Sequence, residues 1–394
     1  MWENCKNEQA HIVAMRRELH KIPELGFDLP KTKKFVLEEL DRLGVEYKCS
    51  EVDSSIVATI CGTGEGKTIA FRADMDALPI IEANEVEYIS QHKGKMHGCG
   101  HDAHTAMLLA TAKVLTENKD KFSGKIKLFF QTGEEIARGA EVMIKDGALD
   151  GVDAIFGLHI GSIMGKEISS GKAVIVPGCV MASYDKFVIK VTGKGCHGST
   201  PEKGVDPINI ASHIVVNLQA VLAREIATTK PSVLTFGKVT GGDVYNVIPN
   251  EVEMEGTIRA LDEEVRQFLA RRIDEIAKST AETFGGTCEV EIIWGAPPVV
   301  NDEEMALIAA DAASVAIGED MVIRKVETPN MGGEDFACYL QKVPGAFFFL
   351  SSADSSKGTD VPHHNPKFNI DEDVLYKGPA IFTSIAMKLL GNEK

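Results

Sequence analysis

The apolar positions change period several times along the chain, and each change marks an element or a boundary. Near the N-terminus, Ile12, Met15, Leu19 and Ile22 recur at helical spacing in NEQAHIVAMRRELHKI, which predicts an amphipathic helix. A second helix is predicted over 30–43, where Pro30 suits a first turn and Gly44 a stop. Strands follow at 55–60 and 68–73, and KIKLFF (125–130) and DAIFGLHI (153–160) are continuous apolar runs. Runs of that kind suit strands buried on both faces. A helical stretch at 103–117 lies between them, so the expectation is an α/β layered sheet.

Past Ser183 the period switches to alternation. YDKFVIKVTG reads as a strand, 207–224 as a helix, SVLTFGKV and EVEMEGTIRA as two strands, 263–284 as a helix and TCEVEIIW as a last strand. That order, β-α-β-β-α-β, predicts a ferredoxin-like unit. Helical and strand patterns of the first kind resume near Ala296, with a helix at 302–316, the strand AFFFLSS and a closing helix from about 371 to 390. The fold class expected is therefore α/β, with a discontinuous catalytic domain (1–182 and 296–394) interrupted by an inserted ferredoxin-like domain (183–295).

The segment CGTGEGKT (61–68) resembles a phosphate-binding loop but fails its requirements. Cys61 stands where the first glycine should, and a strand instead of a helix follows Lys67. A hairpin turn is the expectation there.

Composition narrows the ligand class. A hydrophobic content of 44% and a charged content of 25% are those of a globular protein. The net charge of −16 is spread along the chain, which argues against nucleic acid as a partner and for small molecules or peptides. No run approaches the roughly 18 apolar residues of a membrane span, and MWENCKNEQA carries no apolar signal core. The eight cysteines form no CxxC pair, so reduced thiols and a cytoplasmic location are expected.

The chemistry concentrates in HGCGHDAH (97–104), which places a thiol, three imidazoles and a carboxylate on one glycine-broken turn. Such density points to a metal site. Cys99 and His101 are its natural ligands, and strand ends offer the rest: Glu134 and Glu135 after KIKLFF, His159 in DAIFGLHI, Asp74 and Asp76 after TIAFRA, and the pair His363-His364. Ligands of a parallel α/β sheet gather at the carboxyl ends of its strands. A mixture of Cys, His and Glu suits zinc or a similar transition ion. Of two adjacent carboxylates, one can coordinate while its neighbour takes a proton from water.

Eight ordered motifs carry a resemblance: FRADMDALPI, HGCGHDAH, FQTGEE, FGLHI, GKGCHGSTPEKGVDPI, NVIPNEVEMEGTIR, MGGEDFA and HHNPKFNID. Together they resemble the aminoacylase and hippurate hydrolase group of metallopeptidases, to which plant indole-acetyl-amino-acid hydrolases belong. The resemblance implies a metallopeptidase-type catalytic domain with two divalent ions per subunit (Zn, Mn, Co or Ni). Cys99 would lie between the ions, with His101, Glu135, His159 and His364 as further ligands and His363 as the alternative to His364. Glu134 is implied as general base. His197 is implied to reach a partner subunit's site and stabilise the oxyanion, so a homodimer or dimer-based oligomer is expected. Asn246 and Arg259 are implied as substrate-carboxylate contacts, and Gly332 and Gly333 as a place where backbone approaches substrate. Most of the wider clan carries His-x-Asp at the position of Asp74-Met75-Asp76, and an Asp where Cys99 stands. With that change, Asp74, Asp76 and Asp102 are assigned to orienting ligands.

The activity implied is metal-dependent hydrolysis of an N-acyl-L-amino acid, a small molecule, to a carboxylic acid and an amino acid. A dipeptidase or carboxypeptidase of the same clan is the nearest alternative, and a silent amino-acid-binding protein a more distant one.

Overall fold

The computed structural model describes residues 2–392, which divide into two compact units. One comprises the chain up to Val180, Val300–Asn330 and the chain from Asp335; the other comprises Met181–Val299 and Met331–Glu334. In chain order the first unit supplies helices α1 (Gln9–His20) and α2 (Pro30–Leu43), then strands β1 (Glu46–Cys49), β2 (Ile56–Cys61) and β3 (Thr68–Asp74). Helix α3 (His101–Thr116) and strands β4 (Lys125–Gln131), β5 (Ala154–Gly161) and β6 (Ala173–Val174) continue that passage, with a short helix at Gly139–Lys145 between β4 and β5. The second unit runs β7 (Tyr184–Thr192), α4 (Pro207–Ala220), β8 (Ser232–Thr240), β9 (Glu251–Ala260), α5 (Glu263–Thr283) and β10 (Thr287–Ala296). The chain returns to the first unit with α6 (Glu303–Ile317), β11 (Val322–Ile323), β12 (Gly345–Ser351) and α7 (Lys377–Leu390).

The first unit is built on one sheet in the order β1-β2-β4-β3-β5-β12-β6-β11. Its four central strands, β4, β3, β5 and β12, are parallel. Every residue of β5 and β12 is buried, as their unbroken apolar sequences require when both faces are covered. Helix α3 is buried at all but Lys113 and Thr116, because it packs against β3 on one side and α1, α2 and α7 on others. A helix buried on nearly every side belongs between layers.

Two expectations need correction. The turn GTGEGK is no hairpin, since β4 lies between the strands it joins: Leu128 pairs with Ala58 of β2 and with Phe71 of β3. The apolar run of β4 gains more from burial at the centre than at an edge. The closing helix begins at Lys377, after a short 3-10 turn at Glu372–Val374. Pro379 explains the start, because a residue without N–H is tolerated only in a first turn.

The second unit is an antiparallel sheet in the order β8-β9-β7-β10, which is the 2-3-1-4 order of a ferredoxin-like unit when its strands are numbered as they occur. Alternation in β7 buries Phe187, Ile189 and Val191 against Ile210, Ile214 and Leu218 of α4 and Leu269 and Ile273 of α5. Asp206 and Asp262 cap the two helices, their carboxylates accepting from Ile208 N and Val265 N, contacts typically worth about 1 kcal/mol each. Among the described residues no helix is long and apolar enough to cross a membrane, and Cys5, Cys49, Cys61, Cys196 and Cys288 are free thiols.

Candidate active site

Strand ends and one helix start bring the chemistry together within the first unit. Asp74 ends β3, Glu134 and Glu135 follow β4, and His159 lies near the end of β5. Helix α3 starts at His101 behind Gly100, whose φ of 93° lets the chain turn sharply. A Cβ on Gly100 would stand 3.0 Å from Cγ2 of Ile160, so this turn is pressed onto β5 beside His159.

The side chains converge on Cys99. Its Sγ lies 3.4 Å from Nε2 of His159 and 3.5 Å from Nδ1 of His363. Two triads share it: Cys99, His159 and His363, and Cys99, Glu135 and His364, with the ligand atoms of each triad within 4.8 Å of one another. His101, Glu134 and Glu135 form a further such group, with His101 Nε2 at 3.9 Å from Glu135 and 4.0 Å from Glu134. His364 Nε2 is 3.4 Å from Glu135. The adjacent histidines split because His364 has a φ of 62°, a conformation held only where the surroundings enforce it.

The tautomers suit ligation. His101 donates Nδ1–H to the carbonyl of Asp76 at 2.8 Å, and His159 donates Nδ1–H to the carbonyl of Ile160 at 2.9 Å. Each ring therefore turns its Nε2 to the cluster, oriented as metal-binding imidazoles are. His101 Nε2, Glu135 Oε1 and His363 Nε2 are buried without hydrogen-bond partners. Such atoms cost about 1–3 kcal/mol each. A thiolate, imidazoles and carboxylates gathered in this way fit borderline divalent cations.

Electrostatics point the same way. Burial works against protonation of His101, but Asp74, Asp76 and Glu135 outweigh it and lift its pKa to about 10: the pocket attracts positive charge. Burial pushes Glu135 up to about 7, with His101 opposing and Asp76 and Asp74 adding to the rise. Burial and the neighbouring histidines hold His159 well below its ordinary value, and His363 falls to about 3. Both are neutral imidazoles at pH 7.

The three aspartates differ in their work. Asp76 accepts the backbone N–H groups of Glu134 and Glu135 at 3.0 and 3.1 Å. Asp74 accepts from His104 Nδ1 and from Arg72 Nη1, each at 2.6 Å, and lies 3.7 Å from His101 Nε2. Asp102 pairs with Arg16 at 2.8 Å and with His20 at 2.7 Å, and no ligand side chain is among these partners. His104 has both nitrogens engaged, since Nε2 accepts the N–H of Ile160 at 2.9 Å. His97 is buried and neutral, its pKa lowered by burial to about 3.

The remaining sequence-predicted residues lie in the second unit. His197 lies in a two-stranded ribbon, where it pairs with Val247, and Asn246 immediately precedes the second strand, its carbonyl accepting from Gly198 N. His197 is exposed, and its Nδ1 accepts from Ser199 N at 3.1 Å. Arg259 is half-buried on β9, and burial lowers its pKa against the pull of Asp185 and Tyr184. Gly332 accepts from Ala182 N at 3.0 Å. Gly333 faces Tyr184: a Cβ there would lie 1.8 Å from Cδ1 of that ring.

Sequence reasoning missed the link beneath the cluster. Buried Arg72 donates to Asp74, to Gln131 at 2.9 Å and to Asp335 at 2.9 Å, tying the ends of β3 and β4 together. An arginine inside the apolar strand TIAFRAD was the available signal, because a buried guanidinium demands acidic partners.

Comparison with known proteins places these features. The family model described as peptidase family M20/M25/M40 matches residues 70–388. The N-acetyl-L-cysteine deacetylase of Bacillus subtilis is 39% identical over 99% of this chain and 91% of its own. Thermostable carboxypeptidase 2 of Saccharolobus solfataricus is 40% identical over 98% of each. Among solved structures, the YXEP protein of Bacillus subtilis, a dinuclear metal binding peptidase, superposes with a TM-score of 0.83 at 33% identity, covering 97% of this chain and 98% of that one.

Proposed function

The chain belongs to peptidase family M20/M25/M40, and from that premise we propose that it hydrolyses N-acyl-L-amino acids to a carboxylic acid and a free amino acid. It is a metal-dependent hydrolase of amide bonds, of the aminoacylase type. The observation that carries the proposal is the sharing of Cys99 by two ligand triads with Glu134 beside them.

Cys99, His101, Glu135, His159 and His364 would hold two divalent ions, Zn, Mn, Co or Ni, with His363, which completes the triad of Cys99 and His159, as the alternative to His364, and Asp74 and Asp76 would orient the ligands. Bound there, the ions supply Lewis-acid polarisation of the amide carbonyl and acidify water to a pKa of about 7. Glu134 takes the proton of the attacking water and delivers it to the leaving amine nitrogen. His197, contributed by a second subunit, donates to the oxyanion of the tetrahedral intermediate. Asn246 and Arg259 receive the substrate α-carboxylate; the Nε and Nη2 of Arg259 carry no hydrogen bond among the described residues, and that edge matches a carboxylate.

Dimerisation through the second unit is supported by its surface. Strand β8 is an edge of its sheet, and beside it a groove of about 370 Å³ is lined by Ile208, Val215, Val239 and Met254. An apolar groove beside an open sheet edge is the kind of surface that marks an interface, and Val216, Val239 and Val244 of the same unit are more than half exposed, at 68%, 58% and 55%. The absence of any CxxC pair among the eight cysteines of the sequence supports a cytoplasmic location.

Carboxypeptidase activity is the second reading, favoured by the likeness to the carboxypeptidase relative. A panel of N-acetyl and N-benzoyl amino acids and dipeptides, run on apo-protein reloaded with each metal, separates them. Faster turnover of the acylated amino acids supports the proposal; turnover of dipeptides alone contradicts it.

A further inference from the structure

Tyr184 opens strand β7, and one side of its ring is closed by Gly333. A Cβ on Gly333 would stand 1.8 Å from Cδ1 and 2.6 Å from Cε1 of the ring, so no other residue fits beneath it without displacing the tyrosine. Arg259 also packs on this ring: its Cζ lies 5.5 Å from the ring centroid, within cation–π range. One arm of the guanidinium is occupied, Nη1 donating to Thr257 Oγ1 and to the Ile258 carbonyl at 3.1 Å. The opposite edge, Nε and Nη2, is engaged by no hydrogen bond among the described residues.

We infer that Tyr184 is the positioning residue for recognition of the substrate α-carboxylate, its ring wedged on Gly333 to hold the open edge of Arg259 in one plane. The inference rests on Arg259 being the carboxylate contact. A planar fork grips a carboxylate with two parallel hydrogen bonds only when its plane is fixed. An arginine otherwise loses about 2 kcal/mol of rotamer freedom when it is ordered. Aromatic stacking on one side and the Thr257 and Ile258 contacts on one arm remove that freedom before substrate arrives. Tyr184 thereby sets the preference for a free carboxylate without touching the reacting bond.

The test measures kcat and KM for an N-acyl amino acid and for its α-carboxamide, in wild type, Tyr184→Leu, Tyr184→Phe, Gly333→Ala and Arg259→Gln. Tyr184→Leu should raise KM for the acid about tenfold or more, the size of one hydrogen bond to a charged group, with kcat and the carboxamide reaction changed less than about twofold. Tyr184→Phe keeps the ring and should keep the acid-to-amide preference. Gly333→Ala leaves Tyr184 in the chain but displaces its ring, so it should lower the acid-to-amide preference in the same direction, whatever it does to turnover of both substrates, and gives an independent reading if Tyr184→Leu fails to fold. Equal losses on both substrates in Tyr184→Leu or Gly333→Ala would mean a merely structural role and overturn the inference. Should Arg259→Gln abolish the preference while both of those variants retain it, the inference fails and the Arg259 reading stands. Should Arg259→Gln keep the preference, the Arg259 reading fails and the inference with it.

Discussion

The carboxylate of Asp76 accepts the backbone N–H of Glu134 at 3.0 Å, and its second oxygen takes the N–H of Glu135 at 3.1 Å. One side chain at the end of a strand thus fixes the backbone that presents both the base and a ligand. Replacing Asp76 by Asn turns one acceptor into a donor facing an N–H. Asp76→Asn should lower unfolding stability by about 1–3 kcal/mol and reduce kcat more than it changes KM. Urea unfolding and steady-state kinetics check this; unchanged kcat would dissociate Asp76 from the placement of Glu134.

The histidines of HGCGHDAH divide by what their nitrogens do. His101 keeps Nε2 bare, whereas His104 is engaged at both nitrogens by Asp74 and Ile160. His101→Ala should lower the number of ions bound per chain. His104→Ala should leave that number intact and destabilise the fold by about 2–4 kcal/mol, because it strands a buried carboxylate and a buried N–H. Metal analysis of the two purified variants beside thermal melts gives the contrast, and metal loss in His104→Ala alone would reverse the assignment.

A pH signature comes from His20 and Glu82, which lie 3.1 Å apart. Burial and Arg16 lower the His20 pKa, but Asp102 and Glu82 outweigh them and raise it above 6.5. Burial raises the Glu82 pKa, yet hydrogen bonds from His20, Ser90 and Asn84 bring it below 4.5. The raised group stabilises the fold below its ordinary pKa and loses that contribution as pH climbs through its folded value. The lowered group stabilises above its ordinary pKa and loses that as pH falls through its folded value. The stability difference between wild type and Glu82→Gln should therefore be largest between pH 4.5 and 6.5 and shrink on both sides. Denaturant titrations across that range test it; a difference independent of pH would contradict it.

The exposed valines of the second unit carry a separate prediction. Val216→Glu on α4 places a charge at a residue that is 68% exposed, so a monomer would tolerate it. In a dimer built there, the charge should shift light-scattering mass to one chain and cut activity along with it, through loss of the partner's His197. A fully active monomer would contradict the role given to His197 in the partner's site.

Much of this architecture was legible along the chain. KIKLFF and DAIFGLHI declared buried strands because nothing polar interrupts them, and alternation in YDKFVIKVT exposed the change of unit. Strand order was not legible: the placing of β4 between β2 and β3 depends on pairings across more than 50 residues, which no local pattern encodes. Within the cluster, residue type identified the ligand candidates. The paired approach of His363 and His364 to Cys99 depends on one backbone angle, the φ of 62° at His364, and an ordinary L-residue gives no sign of it in sequence. Tyr184 was equally silent, since its meaning lies in Gly333, 149 positions away in the chain.

The most direct measurement is metal content beside turnover in Glu134→Gln, a change of one oxygen to an amide next to His101. Two ions per chain, as in wild type, and a loss of turnover of about 10²–10⁴-fold are expected. Wild-type turnover in a metal-replete Glu134→Gln protein would contradict the role of Glu134 as general base.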